Sequence, residues 1–151
     1  MTSSTGSEQG PSNENERPLR ALVVDDSAPV RELVVINLEL EGFEVRAAED
    51  GQQGVDAALD WRPDVITMDV MMPGLDGFDA LHRLRTDPTT AGIPVVMLTG
   101  RAQRADRIRG DALGADAYLS KPFEPAELVA VARDLARNGR TGGQEGKGPG
   151  R

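Results

Sequence analysis

The stretch VITMDVMMPGLDG, residues 65–77, joins a short apolar run to an acidic residue and then to a turn rich in Met, Pro and Gly. A continuous run of β-branched and aliphatic residues is typical of a strand that is covered on both faces of its sheet. Asp69 ends this run, where an unpaired acid is costly to bury, so a purely structural role explains this residue poorly. Asp76 is predicted to cap the helix that follows the turn.

Four further apolar runs of similar character occur along the chain, at residues 21–24, 43–47, 95–98 and 117–119. Segments with helical periodicity separate the runs, and glycine or proline marks several of their ends, as at Gly42 and Pro125. A strand and a helix that alternate five times are typical of an open parallel sheet wrapped by helices. The sequence therefore predicts an α/β fold whose function lies in the loops beyond the carboxyl ends of the strands.

The composition of the 151 residues excludes several classes of protein. The chain has no Cys and a single His, which excludes a disulfide framework, a thiolate metal site and a cysteine nucleophile. A net charge of -8 argues against direct binding to nucleic acid, because phosphate contacts need a basic surface. No stretch approaches the roughly 18 apolar residues of a membrane span, so we expect no membrane contact and a cytoplasmic location.

Both ends of the chain differ in composition from its centre. Residues 1–18 are rich in Ser, Gly, Asn and Glu, and we predict that they form a disordered tail because they have too little apolar surface to bury. Residues 138–151 are rich in Gly and are predicted to form a flexible tail. The predicted folded unit is a single domain over residues 19–137.

Polar residues follow four of the five predicted strands. Asp25 and Asp26 follow the first strand and Asp69 the third, while Thr99 and Lys121 follow the fourth and fifth. In a parallel sheet these loops emerge at one edge, so we expect three carboxylates, a hydroxyl and an ammonium to converge. Carboxylates in such a group raise one another's pKa unless a cation lies among them, and oxygen ligands favour Mg²⁺. With Mg²⁺ and the ammonium present, the pocket can accept a phosphoryl group, toward which a carboxylate is a competent nucleophile.

Four short motifs carry a family resemblance: VVDDS at 23–27, MDVMMPGLDG at 68–77, VVMLTG at 95–100 and YLSKPF at 118–123. In this order, each at a strand end, they resemble the receiver domain of bacterial two-component response regulators. The resemblance implies a flavodoxin-like (βα)5 doubly wound parallel sheet with strand order 2-1-3-4-5. It also implies a phosphoprotein that receives its phosphoryl group from a sensor histidine kinase or a phosphotransfer protein.

The same resemblance implies a role for each residue of the predicted site. Asp69 is the phosphoacceptor, and Lys121 contacts the phosphoryl oxygens. Asp26 binds Mg²⁺ directly and Asp25 binds it largely through water, while Asp69 and the backbone carbonyl of Met71 complete the protein ligands. The backbone of Met71 also contacts the phosphoryl group. Taken alone, Asp25 and Asp26 are better explained as a helix N-cap and its neighbour, and the other three loops are what favour the metal role.

A switch is the second property that the resemblance implies. The hydroxyl of Thr99 moves to bind a phosphoryl oxygen, and the ring of Tyr118 turns inward as it does so. Gly100 keeps access to the acyl phosphate open and offers its backbone to the phosphoryl group. The Lys121-Pro122 peptide bond is expected to be cis. For Tyr118, simple packing on a half-buried strand is the alternative interpretation.

Arginines make the fourth predicted helix locally basic. Arg101, Arg104 and Arg107 lie on nearly one face of it. One interpretation is a solvated face that pairs with Asp106 and Asp111. The other is a docking surface for an output partner. This surface comprises the last two helices and the strand between them, and Arg104 and Arg107 of the fourth helix contribute to it.

We expect a stand-alone response regulator that catalyses only its own phosphorylation and dephosphorylation and binds an unknown noncovalent output partner. One alternative is a phosphorelay intermediate that passes the phosphoryl group to a downstream histidine. Another is a haloacid-dehalogenase-like phosphatase, which requires an acid two residues after its nucleophile, where this chain has Met71. A nucleotide-binding module is disfavoured, because no Gly-rich phosphate loop follows the first strand.

Overall fold

The computed structural model describes residues 17–100 and 104–140, with side chains in the second range described from residue 107. Five strands and five helices alternate along these residues. In chain order they are β1 Arg20–Val24, α1 Ala28–Leu40, β2 Glu44–Ala48, α2 Gly51–Trp61, β3 Val65–Asp69, α3 Gly77–Thr86, β4 Val95–Thr99, α4 Arg104–Leu113, β5 Ala117–Ser120 and α5 Pro125–Asn138.

The five strands form one sheet in the order β2-β1-β3-β4-β5, and every neighbouring pair is parallel. The predicted α/β fold and its strand order are therefore confirmed. Because all five strands run in the same direction, their carboxyl ends lie at one edge of the sheet. The residues that follow β1, β3, β4 and β5 are thereby brought to a common edge.

The apolar runs are continuous because both faces of the sheet are covered. Leu22 and Val24 of β1 pack on one face with α2 and α3, while Ala21 and Val23 pack on the other face with α1 and α5. Successive side chains of a strand point to opposite faces, so every position of such a strand is buried. β1, β3 and β4 are buried almost throughout, which makes the edge above them a rigid support for a site.

Short polar side chains set where three of the helices begin. Ser27, Asp50 and Asp76 each accept a hydrogen bond from the backbone N–H three residues further on, at 3.5, 2.8 and 2.9 Å. The predicted cap at Asp76 is confirmed. The cap of α1 is Ser27, so the helix-cap interpretation of Asp25 and Asp26 is wrong and both carboxylates lie before the helix.

Contacts extend past both predicted boundaries of the folded unit. Arg17 pairs with Asp64 at 3.2 Å, and Arg140 pairs with Asp116 at 3.1 Å. Arg17 lies three residues before β1 and Arg140 lies two residues after α5. Each of them pairs with a carboxylate of the folded unit. The rest of the two predicted tails, residues 1–16 and 141–151, lies outside the described residues. Among the helices that the structure describes, none combines the length and apolar character needed to cross a bilayer.

Candidate functional site

Three carboxylates meet at the carboxyl edge of the sheet. Asp25 and Asp26 follow β1, Asp69 ends β3, and one carboxylate oxygen from each lies within 4.8 Å of the others. Asp25 is 0% exposed and Asp69 is 5% exposed, whereas Asp26 is exposed. The structure thus brings together the three acids that the sequence analysis placed in one site.

Lys121 lies between the two buried acids. Its Nζ is 3.2 Å from Oδ2 of Asp25 and 3.3 Å from Oδ1 of Asp69. The backbone N–H of Lys121 donates to the carbonyl of Thr99 at 2.8 Å, which ties the lysine loop to the end of β4. The Lys121-Pro122 bond is cis, as expected. One ammonium therefore contacts two carboxylates that are separated by 44 residues in the chain.

Backbone groups orient the two buried carboxylates. The N–H of Ser27 donates to Oδ1 of Asp25 at 2.9 Å, and the N–H of Met71 lies 3.4 Å from Oδ1 of Asp69. Gly77 opens α3 directly against the end of β3, where a Cβ would collide with the carbonyl oxygen of Asp69. This role of Gly77 was not predicted from the sequence. The sequence feature that could have indicated it is a glycine directly after the helix-capping Asp76, at the first position of a helix, where the backbone does not require glycine.

Burial is the main influence on the Asp69 carboxyl and raises its pKa above the ordinary value, and the negative charge of Asp25 raises it further. The charge of Lys121 and hydrogen bonds from Lys121 and the Met71 N–H act in the opposite direction. The neighbouring cation therefore does not fully offset the cost of ionising a buried acid. A second cation at this site would favour the ionised form.

The donor set fits a hard divalent cation. Three carboxylates face a single ammonium among the described residues of the site, so the group carries an excess of negative charge. Mg²⁺ takes oxygen ligands, binds one or two carboxylates directly and retains several waters. Asp25, Asp26 and Asp69 provide such oxygens. The backbone of Met71 lies beside them, and this residue is 57% exposed.

Saturating Mg²⁺ is expected to raise the thermal unfolding midpoint of the chain. A ligand that binds only the folded state at about 100 times its Kd stabilises that state by about 2.7 kcal/mol. Asp26→Ala removes an exposed carboxylate of the acidic group without opening the core, so the Mg²⁺-induced shift should shrink sharply if Asp26 is a ligand, as followed by circular dichroism. The control is Asp60→Ala, which removes an acid that is 82% exposed on α2. An undiminished shift in Asp26→Ala would show that Asp26 is not a ligand.

The two predicted switch residues lie on neighbouring strands. Thr99 ends β4 and is 1% exposed, while Tyr118 lies half-buried on β5 opposite Met97. Because residues two apart on a strand share a face, Thr99 and Met97 point to the same side, and Tyr118 is a diagonal neighbour of Thr99 there. Gly100 is exposed, and among the described residues no atom beyond its chain neighbours lies within 4 Å of the position that a Cβ would take.

The predicted partner surface is described only in part. Arg107 is exposed, and its guanidinium lies 5.7 Å from the centroid of the Tyr118 ring. Arg104 begins α4, but its side chain is outside the described part of the chain, as is Arg101. The docking role of Arg104 and Arg107 stays a prediction.

The comparisons with known proteins agree with this geometry. The sequence profile of the family described as "Response regulator receiver domain" matches residues 21–133. The phosphate regulon transcriptional regulatory protein PhoB of Pseudomonas aeruginosa is 41% identical over 128 residues, which are 85% of this chain and 55% of that protein. The DNA-binding dual master transcriptional regulator RpaA of Synechocystis is 47% identical over 118 residues, which are 78% of this chain and 49% of that protein.

A solved structure matches the fold. The receiver domain of a Pseudomonas aeruginosa sensor histidine kinase, crystallised with a magnesium ion coordinated in its active site cleft, is 30% identical. Its TM-score is 0.75, and the match covers 81% of this chain and 100% of that one. The chain spans about half the length of the curated relatives it matches. Its fold, its acidic cleft and these matches establish that it belongs to the receiver domain family of two-component response regulators.

Proposed function

We propose that the chain is a phosphorylation-controlled switch in which Asp69 accepts a phosphoryl group from the histidine of a sensor kinase or phosphotransfer protein. The observation that carries the proposal is the position of the Asp69 carboxylate. It is almost fully buried, contacts the Lys121 ammonium at 3.3 Å, and shares its pocket with two further acids. Burying an acid beside two other acids costs folding free energy, and a role as nucleophile explains why the chain retains Asp69 at this position.

In the proposed reaction, an Oδ atom of Asp69 forms a bond to phosphorus while the P–N bond of the donor phosphohistidine breaks. The electron pair of that bond leaves with the imidazole nitrogen, which takes up a proton. Negative charge develops on the phosphoryl oxygens, and the Lys121 ammonium and the Met71 N–H lie where they can stabilise it. Lys121 would exchange its contact with the Asp69 carboxylate for one with the phosphoryl group.

Asp25, Asp26 and Asp69 would hold Mg²⁺ together with the backbone carbonyl of Met71. When bound, the ion supplies positive charge that neutralises the carboxylates and the incoming phosphoryl oxygens. Ser27 contributes by donating its N–H to Asp25, which orients that carboxylate at the site. Phosphorylation would then shift an equilibrium between two conformations. The Thr99 hydroxyl would bind a phosphoryl oxygen, and the Tyr118 ring would turn inward.

The family also limits the alternatives. A haloacid-dehalogenase-like phosphatase would need an acid where Met71 stands, and the family match supports a receiver instead. A phosphorelay intermediate uses the same site and differs only in its downstream histidine. PhoB and RpaA are regulators with DNA-binding or transcriptional roles, whereas we propose that this chain acts through a noncovalent protein partner and does not itself bind nucleic acid.

Acetyl phosphate with Mg²⁺ is expected to label the chain once per molecule, through a bond that is stable in acid and labile in base. The same preparation should not turn over a generic phosphate ester, because a receiver reacts only at its own carboxylate. Mass spectrometry measures the label and released phosphate measures turnover. Omission of Mg²⁺ is the control. Sustained ester hydrolysis without a stoichiometric label would favour the phosphatase and overturn the proposal.

A further inference from the structure

Helix α4 and strand β5 meet at a close contact between three residues. Arg107 and Gly110 are three positions apart on α4 and so face the same direction. The guanidinium carbon of Arg107 lies 5.7 Å from the centroid of the Tyr118 ring. Gly110 is buried, and a Cβ at this position would collide with the hydroxyl oxygen of Tyr118. The ring therefore lies against α4 only because residue 110 has no side chain.

The contact is attractive as well as close. A guanidinium within about 6 Å of a ring centroid is attracted by the negative face of the ring, and at an exposed site this shifts a two-state ratio by about two- to fivefold. Tyr118 packs against the core cluster on the α2–α3 face of the sheet, diagonal to Thr99. Any rotation of the ring away from α4 must break its contact with Arg107.

We propose that Arg107 is a positioning residue for Tyr118. Its guanidinium, together with the space left by Gly110, stabilises the ring against α4 and so opposes the movement of Tyr118 that accompanies switching. The inference rests on the proposed function, since it assumes that phosphorylation moves this ring away from α4. It assigns to Arg107 an intramolecular role in addition to the docking role predicted from the sequence.

The single tyrosine of the chain makes the contact directly observable. Protein grown with 3-fluorotyrosine carries one ¹⁹F nucleus, at Tyr118, and its spectrum is recorded with and without beryllofluoride and Mg²⁺. For wild type we expect the signal to move on addition of beryllofluoride. In Arg107→Ala without beryllofluoride, the ratio of moved to unmoved ring should rise about two- to fivefold. Arg107→Lys keeps a cation over the ring and should restore part of the wild-type ratio.

Two further variants separate this role from a general loss of structure. Arg109→Ala removes the neighbouring arginine, whose guanidinium lies 4.6 Å from the Phe78 ring, and should leave the ¹⁹F signal unchanged. Gly110→Ala places a methyl group where the hydroxyl lies and should displace the ring more than Arg107→Ala does. If the wild-type signal responds to beryllofluoride and Arg107→Ala matches wild type, Arg107 has no positioning role. If the wild-type signal does not respond while Asp69 is still labelled, the switching role of Tyr118 fails, and this inference with it.

Discussion

Replacing Asp69 by Asn is expected to abolish covalent labelling by acetyl phosphate. The amide that replaces the carboxylate has nearly the same shape but lacks a nucleophilic oxygen, so no acyl phosphate can form. Lys121 and Asp25 keep their contact at 3.2 Å, which leaves the pocket otherwise assembled. The measurement is the intact mass of the chain after incubation with acetyl phosphate and Mg²⁺, with stoichiometric labelling of wild type as the reference.

Loss of label in this variant should not reflect loss of folding. Burial and the charge of Asp25 raise the pKa of Asp69 in the folded chain, so ionised Asp69 disfavours folding at every pH above that raised pKa. In the absence of Mg²⁺ near neutral pH, Asp69→Asn should therefore be at least as stable as wild type, as urea unfolding would show. Asp60→Asn, a change on the exposed face of α2, is the matched control and should label fully. Wild-type labelling of Asp69→Asn would place the acceptor at another residue.

The largest effect on stability is expected from Asp116→Ala. The Asp116 carboxylate is 0% exposed and accepts from Arg85 at 2.9 Å and Arg140 at 3.1 Å, while the N–H of Val95 donates to it at 2.9 Å. Burial lowers the pKa of Arg85 to about 10, with a further contribution from the charge of Arg140, so Arg85 stays protonated at neutral pH. Removing the acid leaves two guanidinium groups without their counter-charge, at a cost of about 3–5 kcal/mol.

Urea unfolding followed by circular dichroism measures this loss. Asp60→Ala serves as the control, because its carboxylate is 82% exposed and 3.8 Å from Arg46, and an exposed pair of this kind contributes at most about 1 kcal/mol. Arg140→Ala should cost less than Asp116→Ala, since it leaves the Arg85 pair intact. If Asp116→Ala does not fold, Asp116→Asn, which keeps an acceptor oxygen, gives the measurement. A loss below 1 kcal/mol in both Asp116 variants would contradict the role of this cluster.

The sequence pattern was sufficient for the five alternating strands and helices and for the convergence of the polar residues, whereas the strand order was implied by the family resemblance. Period and composition identify five strands, and parallel strands end at one edge, so Asp25, Asp69 and Lys121 had to converge. The position of a polar residue directly after a strand is determined by the backbone of that strand and does not depend on how the helices pack. The helix caps are local in the same way, although Ser27 rather than either preceding aspartate proved to be the cap of α1.

The tertiary structure decided which side chains contact one another across the fold. Nothing local marks Asp116 as the partner of Arg85 and Arg140, because the three lie on separate segments and meet only when those segments pack. Arg107 looked like a solvated or docking arginine in the sequence, and its contact with Tyr118 depends on how closely α4 approaches β5. Backbone periodicity determines which edge or face a residue occupies, whereas side-chain contacts depend on helix packing distances that the periodicity does not encode.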